Sequence, residues 1–439
     1  MTKQISSLKQ SVSNAFKVKT TKEGFKKFFG ISLYRNAIYL ILDGAIPAIS
    51  GFLFWVVAAR IYSSATIGIA SAAIAANGLL VALSLFGLNN TLIRFLPSAR
   101  EHAWEMINSS FTICGLVAVI MAFIFILGLG FWSPALISIR NNLIFFSMFV
   151  VFVLVSLFDT LSGIIYVANR RSDLILFQDI IASVLRFIPL FLLATVSVDN
   201  AIFASWGSAI LVATLIGIFI FIPITQNGFK PRLSINKIIL GKMLHYSATN
   251  YFVSLLAMAS NSILPLIVLN ILGAEKNAYF YISWTISSTI ASVPSAITTS
   301  LFAEGANDED ILRNHVRRSI ILISFLLIPL IAIILIFGKW LLLIFGAKYS
   351  ENATIILRIL TICALPLTVN SLYFTIKRIQ KAMKSVVILT SLISAISVAL
   401  SWILLPRIGL VGAGIGWLVA NGITALFIVI TWIKKKSLL

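Results

Sequence analysis

The hydrophobic residues of this chain form long uninterrupted blocks, which short polar stretches separate. Many blocks reach the roughly 20 residues that a helix needs to cross a hydrocarbon core of about 30 Å. Strands of a membrane barrel would be about half as long and would alternate in polarity, so a barrel is excluded. The pattern predicts an all-α polytopic membrane protein with about twelve transmembrane helices. The predicted spans are 37–59, 66–93, 109–132, 142–168, 174–197, 201–223, 244–271, 277–302, 319–337, 354–376, 385–405 and 411–433.

The composition excludes a soluble protein. Only 11% of the 439 residues are charged, 59% are hydrophobic, and the mean hydropathy is +1.03. A soluble chain of this length needs a polar surface that these residues are too few to supply. The net charge of +20 requires no nucleic-acid partner, because lysines that face anionic lipid headgroups account for it. We therefore expect membrane lipids as partners.

Lysine and arginine residues are concentrated on one side of the predicted membrane. With the N-terminus inside, 26 of the 34 fall in inner segments, six in outer segments and two within spans. The positive-inside rule demands such a bias, and a miscounted span would scramble it. Both termini are predicted to be cytoplasmic, in a multi-pass protein of the cytoplasmic (inner or plasma) membrane.

The two halves of the chain resemble each other. Residues 201–206 (AIFASW) parallel 412–417 (GAGIGW), and the polar turn at 169–171 parallels 380–381, both with an offset of about 211 residues. Duplicated bundles are a recurrent transporter design, so we predict two pseudo-symmetric six-helix bundles. The predicted organisation is a basic cytoplasmic tail at 1–36, a first bundle at 37–223, a cytoplasmic linker at 224–243, a second bundle at 244–433 and a basic tail at 434–439. One helical face of the first tail predicts an interfacial helix and carries Phe25, Phe28, Phe29 and Leu33.

Short motifs rich in glycine and turn residues recur near the ends of the predicted spans. They are ARIY at 59–62, IG at 67–68, GLNNTLIRF at 87–95, LGAE at 272–275, FGAKY at 345–349 and GLVGA at 409–413. Together they resemble the polysaccharide or O-antigen flippase family of the multidrug/oligosaccharidyl-lipid/polysaccharide (MOP) exporter superfamily. The resemblance covers about residues 31–433 and concerns architecture more than substrate. It implies a flippase that carries lipid-linked oligosaccharide from the cytoplasmic to the outer leaflet.

Ionisable residues inside predicted spans indicate where a polar substrate passes, because they are costly there and face a cavity or a partner. Asp43 lies one helical turn before Pro47, Asp159 lies on a polar stripe of span four, and Asp179 shares a stripe with Arg186 in span five. Arg186 is roughly 18 Å from the cytoplasmic end of its span, near mid-membrane. One interpretation makes Arg186 the anchor of an anionic headgroup and the aspartates proton-linked or sugar-contacting groups. The alternative is an internal ion pair between Arg186 and a neighbouring carboxylate.

Polar uncharged residues form a second group of candidates. Asn250 and Asn261 in span seven are candidate cavity-lining residues. Two hydroxyl stripes have the same helical spacing: Ser288, Ser292, Ser295 and Thr299 in span eight, and Thr390, Ser394, Ser397 and Ser401 in span eleven. Small residues allow close helix packing, and we favour that interpretation of both stripes over sugar binding.

These observations lead to a transporter rather than an enzyme. Cys114 and Cys363 lie inside apolar blocks and the histidines share no ligand spacing, so no metal, cofactor or catalytic residue is predicted. The leading hypothesis is a flippase that translocates polyprenyl-(pyro)phosphate-linked oligosaccharide by alternating access, with H+ or Na+ as a candidate coupling ion. The alternatives are a multidrug or cation antiporter of the same superfamily and a membrane-embedded polysaccharide polymerase or glycosyltransferase.

Overall fold

The computed structural model describes residues 32–99, 102–194, 200–236, 241, 251, 255, 262–305, 312–380 and 382–434. The first-half helices are α1 Ser32–Ile61, α2 Ser64–Ser84, α3 Ala103–Leu127, α4 Leu143–Ala168, α5 Ser172–Leu185, α6 Phe187–Ala194 and α7 Ala201–Ile216. The second-half helices are α8 Ser262–Leu272, α9 Ala274–Gly305, α10 Leu312–Leu343, α11 Ala347–Ile362, α12 Ala364–Ile379, α13 Met383–Ile408 and α14 Leu410–Lys434. Shorter helical pieces are Leu88–Phe95, Leu129–Trp132, Ile137–Asn141 and Ile222–Thr225.

Within the described residues, ten helical segments are long and apolar enough to cross a membrane. Helix α9 is not among the ten although it is 32 residues long, because its many serines and threonines lower its hydropathy. The prediction of an all-α polytopic fold is confirmed, while the count of twelve spans and the side of each terminus stay predictions. The interfacial helix predicted around Phe25 lies outside the described residues. Below, the outer and cytoplasmic ends are those that the lysine and arginine distribution predicts.

Two predicted spans are divided by a proline. Pro189 and Pro366 lack a backbone N–H, so the carbonyl four residues earlier, at Leu185 or Ile362, loses its helical partner. The helix boundaries fall at these residues: α5 ends at Leu185 and α11 ends at Ile362. In span five the break leaves Arg186 as the junction between α5 and α6.

Helices α13 and α14 pack closely because glycines of α14 face small side chains of α13. A Cβ atom at Gly416 would lie 2.6 Å from Ser401 Oγ, and one at Gly412 would lie 2.6 Å from the Leu404 carbonyl carbon. Ser397 and Ser401 are fully buried at this interface. For the hydroxyl stripe of span eleven, the close-packing interpretation therefore agrees with the structure.

The two largest clusters of buried apolar side chains lie one mainly within the first half and the other across both halves, and two smaller clusters lie within the second half. The first contains Phe149, Tyr166 and Phe203. The second brings Phe54 of α1 together with Tyr279 and other residues of the second half. Cys114 and Cys363 are free, buried thiols, as their apolar surroundings predict. The second cluster matters for function because it holds α1 against α9, next to the candidate site.

Candidate functional site

Three predicted site residues meet between α1 and the junction of α5 and α6. Ser50 Oγ of α1 donates to the Ser183 carbonyl of α5 at 3.1 Å, which fixes the two helices side by side. Across this interface the carboxyl groups of Asp43 and Asp179 act on each other electrostatically. The interface thus brings together two acidic side chains that lie 136 residues apart in sequence.

Arg186 lies about two helical turns beyond Asp179 on the same polar stripe. Its Nη2 donates to Ser183 Oγ at 3.2 Å, its Nε contacts the Ala182 carbonyl at 3.4 Å, and its Cζ is 5.9 Å from the centre of the Phe54 ring. The charge of Asp179 acts on Arg186 electrostatically. Nevertheless, no carboxylate oxygen of the described residues is within 4.0 Å of its guanidinium nitrogens. The guanidinium therefore has free donors in an acidic environment.

The facing helix has a glycine beside the guanidinium. A Cβ atom at Gly51 of α1 would lie 4.0 Å from Arg186 Nη1, which is an ordinary van der Waals contact. Arg186 is half-buried, which leaves part of the planar group accessible. An arginine with free, partly accessible donors matches two oxygens of a phosphate or carboxylate.

Asp159 belongs to a neighbouring network and not to the Arg186 group. Gln178 Nε2 donates to Asp159 Oδ1 at 2.6 Å, and Thr214 Oγ1 of α7 donates to the same oxygen at 3.3 Å. Tyr166 Oη in turn donates to Gln178 Oε1 at 2.9 Å. Of the two carboxylates considered as internal partners of Arg186, Asp159 is thus engaged elsewhere and Asp179 is the one that remains.

A local change of helix geometry makes room for this network. The chain forms a π-helical turn at Gly217–Phe221, directly after α7. A Cβ atom at Gly217 would lie 2.3 Å from Gln178 Oε1 and 2.9 Å from Tyr166 Oη. Single π turns inside α-helices often mark functional sites. The sequence alone did not identify Gln178, Thr214 or Gly217 as candidate site residues. The available signal was Gln178, a polar amide next to Asp179 inside an apolar span.

Of the six predicted site residues, the structure describes four. Asp43, Asp179 and Arg186 come together, and Asp159 lies close enough for its charge to act on both other aspartates. Asn250 and Asn261 lie outside the described residues. The N-terminal half of the predicted site is therefore one connected polar region between α1, α4, α5 and α7.

The hydroxyl stripe of α9 forms a second polar surface. Ser288, Ser292, Ser295 and Thr299 are all exposed, so the helix-packing interpretation is wrong for this stripe. Their hydroxyls donate to carbonyls of the same helix, as Ser292 Oγ does to the Thr289 carbonyl at 2.7 Å. Each hydroxyl oxygen still has lone pairs that can accept a hydrogen bond. The stripe is an exposed row of acceptors.

The same face of α9 touches the first half of the chain near its outer end. Asn277 Nδ2 donates to the Gly68 carbonyl at 2.7 Å and contacts Ser71 Oγ at 3.1 Å, both on α2. A Cβ atom at Gly68 would lie only 1.7 Å from the Ala274 carbonyl oxygen. Asn277, Ser288 and Thr299 are spaced about three helical turns apart, so they lie on one line along the surface of α9. This face is closed against α2 at its outer end and exposed from Ser288 onwards.

Further contacts join the halves at the outer end. Arg60 Nε and Nη2, at the end of α1, donate to the Ile344 and Leu343 carbonyls at 2.8 Å each. Asn270 of α8 donates to the Trp132 carbonyl at 3.2 Å. Together with the contact between α2 and α9, they join the halves at the predicted outer end, and we call this set of contacts the outer gate.

Known proteins support this architecture. The family described as polysaccharide biosynthesis protein matches residues 57–354. The lipid II flippase MurJ in an inward closed conformation has a TM-score of 0.71 at 15% identity, covering 90% of this chain and 87% of that one. An inward-facing multidrug resistance MATE family transporter of the MOP superfamily has a TM-score of 0.61 at 16% identity, covering 92% and 95%.

An outward-facing MATE family transporter of the same superfamily also has this fold, with a TM-score of 0.59 at 14% identity and coverage of 93% and 96%. A comparison with curated protein sequences gives no match. At these identities the structures establish the fold, while the family match covers well over half of the chain. The resemblance seen in the sequence motifs is confirmed, and the chain belongs to the polysaccharide biosynthesis protein family, with the fold of MOP superfamily transporters.

Proposed function

We propose that this protein is a flippase of the cytoplasmic membrane that translocates lipid-linked oligosaccharide for polysaccharide biosynthesis. The observation that carries the proposal is Arg186, a half-buried arginine inside a span with no carboxylate oxygen of the described residues within 4.0 Å. An arginine at such depth costs a few kcal/mol unless it has a partner. A polyprenyl phosphate or pyrophosphate is an anion that must cross at this depth.

The exposed row of hydroxyls on α9 supports a substrate that carries a saccharide headgroup. Sugar hydroxyls donate and accept hydrogen bonds, and the serine and threonine oxygens from Ser288 to Thr299 are available acceptors. The row follows Asn277 along α9, and in the proposed mechanism it lines the path between the two bundles. The phosphate would bind Arg186, the sugars would contact α9, and the polyprenyl chain would remain in lipid.

The outer gate supports alternating access. The fold is known in inward-facing and outward-facing transporters. Among the described residues, contacts join the halves at the predicted outer end, and Tyr251 Oη donates to the Leu83 carbonyl at 2.9 Å nearer the predicted cytoplasmic end. In the proposed cycle, the polar face of α9 would receive the lipid-linked substrate from the cytoplasmic side. Release on the other side requires the contact between Gly68, Ser71 and Asn277 to open.

The carboxyl pair of Asp43 and Asp179 supports coupling to protons. Two carboxyl groups that act on each other can bind one proton between them, and its loss would leave two neighbouring negative charges. Those charges would compete with a phosphate for Arg186, because the charge of Asp179 also acts on the guanidinium. Proton binding would thus favour substrate binding, and proton loss would favour release.

Depletion of the protein in its native cell is expected to abolish the surface polysaccharide and to accumulate lipid-linked oligosaccharide in the cytoplasmic leaflet. The measurement is extraction and chromatography of the lipid-linked pool, with surface polysaccharide followed by gel electrophoresis. Depletion of a polymerase would instead leave single repeat units at the surface. Loss of drug or cation resistance with normal polysaccharide would contradict the proposal and support the antiporter.

A further inference from the structure

The linker that follows the first-half helices is held on the side of α3. Arg232 N donates to Asn108 Oδ1 at 3.1 Å, and Asn108 Nδ2 donates to the Lys230 carbonyl at 3.2 Å. Three further bonds continue the contact: Ser234 N to Thr112 Oγ1 at 3.2 Å, Asn236 N to Ser109 Oγ at 2.9 Å, and Asn236 Nδ2 to Glu105 Oε2 at 2.8 Å. Residues 230–236 therefore form a strap that is bound to α3 by defined hydrogen bonds.

The strap lies on the lipid-facing side of α3. The residues that hold it continue, at helical spacing, into a row of exposed apolar side chains along the same helix. This row is Leu116, Ile120, Phe123 and Leu127, which are 52%, 55%, 42% and 64% exposed. Since α3 is about 37 Å long and the hydrocarbon core is about 30 Å, its polar first turns lie at the membrane interface. The strap covers the polar part of a face whose remainder contacts lipid.

The outer surface of the strap is both apolar and basic. Leu233 is 93% exposed and Ile235 is 45% exposed, and the side chains of Lys230 and Arg232 are exposed as well. Every second backbone N–H, from Arg232 to Asn236, donates to α3, which is the pattern of an extended segment. In such a segment Leu233 and Ile235 point to the same side. Phe229, directly before the strap, is 4% exposed and anchors it to the first-half core.

We propose that the strap is a binding surface for anionic lipids of the cytoplasmic leaflet. Leu233 and Ile235 insert at the boundary between headgroups and acyl chains, and Lys230 and Arg232 bind the phosphates of neighbouring lipids. Apolar residues interleaved with basic ones are the composition of segments that lie on anionic membranes. The lipid-facing position of α3 supplies the membrane next to them. This surface lies outside the transport path and is independent of the proposed function.

The depth of residue 233 tests the proposal directly. Full-length protein with Leu233→Cys carries a spin label in nanodiscs of phosphatidylcholine alone or mixed with phosphatidylglycerol. Because Cys114 and Cys363 are fully buried, the label goes to the introduced cysteine. We expect collision with lipid-soluble oxygen to exceed collision with a water-soluble nickel complex, and this preference to grow with phosphatidylglycerol. Leu116→Cys provides the lipid reference and Ser98→Cys the cytoplasmic-loop reference.

A variant that lacks the two basic charges of the strap distinguishes binding of anionic lipids from burial of residue 233 in the bilayer. Lys230→Gln combined with Arg232→Gln is expected to remove the dependence on phosphatidylglycerol while leaving the fold intact, because both side chains are exposed. The matched control is Arg317→Gln with Arg318→Gln, which removes the same charge from another exposed cytoplasmic segment. It should keep the wild-type lipid response. A label at 233 that behaves like Ser98→Cys in both lipid mixtures, or an equal loss of lipid response in both double variants, would overturn the proposal.

Discussion

Replacing Arg186 by alanine is expected to reduce polysaccharide export about tenfold or more, since a hydrogen bond to a charged group contributes about 1.5–3 kcal/mol and 1.4 kcal/mol is a factor of ten. We expect so large a loss of export because, among the described residues, no carboxylate oxygen lies within 4.0 Å of the guanidinium, so its donors are available to the substrate. Arg186→Lys should restore only part of the export, since an ammonium group lacks the planar fork that matches phosphate. Folded protein recovered from the membrane should stay near the wild-type amount.

The alternative, in which Arg186 serves mainly to neutralise Asp179, predicts a different result. Arg186→Ala would then lower the melting temperature, and adding Asp179→Asn would restore it, because two neutral groups leave no isolated charge. Asp159→Asn is the matched control, since Asp159 bonds to Gln178 and Thr214 and should not rescue. Export and melting temperature are measured for the single and double variants. Wild-type export in Arg186→Ala would exclude the substrate-binding role.

Gly68→Ala is expected to prevent closure of the outer gate and to reduce export to near background. The added Cβ atom would lie 1.7 Å from the Ala274 carbonyl oxygen and 2.5 Å from its carbon, and backbone atoms of a helix cannot move aside singly. Helices α2 and α9 must therefore separate. Gly78→Ala, in the same helix, is the matched control because its Cβ atom would meet Ser262 Oγ at an ordinary 3.8 Å. Each substitution stabilises the helical conformation by about 1 kcal/mol, so the two variants differ only in the contact that the new Cβ atom makes.

Labelling from outside distinguishes a gate defect from misfolding. Ser71 is fully buried at the closed gate, so Ser71→Cys should react slowly with an impermeant thiol reagent in the wild-type background. The reaction should become several-fold faster in Gly68→Ala and stay slow in Gly78→Ala. If export and labelling are the same in the two glycine variants, the contact between α2 and α9 does not form the gate.

The sequence predicts the membrane-spanning helices well, because each of them needs an apolar block of roughly 20 residues to cross the hydrocarbon core. It does not distinguish the two hydroxyl stripes, which have the same spacing and opposite surroundings. Ser397 and Ser401 are covered because Gly412 and Gly416 bring α14 against them, whereas Ser292 is exposed. The difference lies in the neighbouring helix, and spacing within one helix carries no information about it.

The candidate site shows the same limit. Stripes along single spans place Asp179 and Arg186 on one face, and the structure keeps them there. The approach of Asp43 to Asp179 depends on how α1 packs against α5, which periodicity does not encode. Likewise, Asn277 is an ordinary polar residue in the sequence and becomes part of the outer gate only through the close approach of Gly68. Long-range helix packing therefore decides which polar residues act together.

Transport by the purified protein in liposomes tests the flippase proposal most directly. A fluorescently labelled polyprenyl-diphosphate oligosaccharide is placed in both leaflets, and bleaching by an impermeant reductant reports how fast the protected pool reaches the outside. We expect rapid bleaching of the whole pool with the wild-type protein, and bleaching of the protected pool that is about tenfold slower or more with Arg186→Ala. A protected pool that persists with the wild-type protein as it does in protein-free liposomes, or that disappears equally fast with Arg186→Ala, would contradict the proposal.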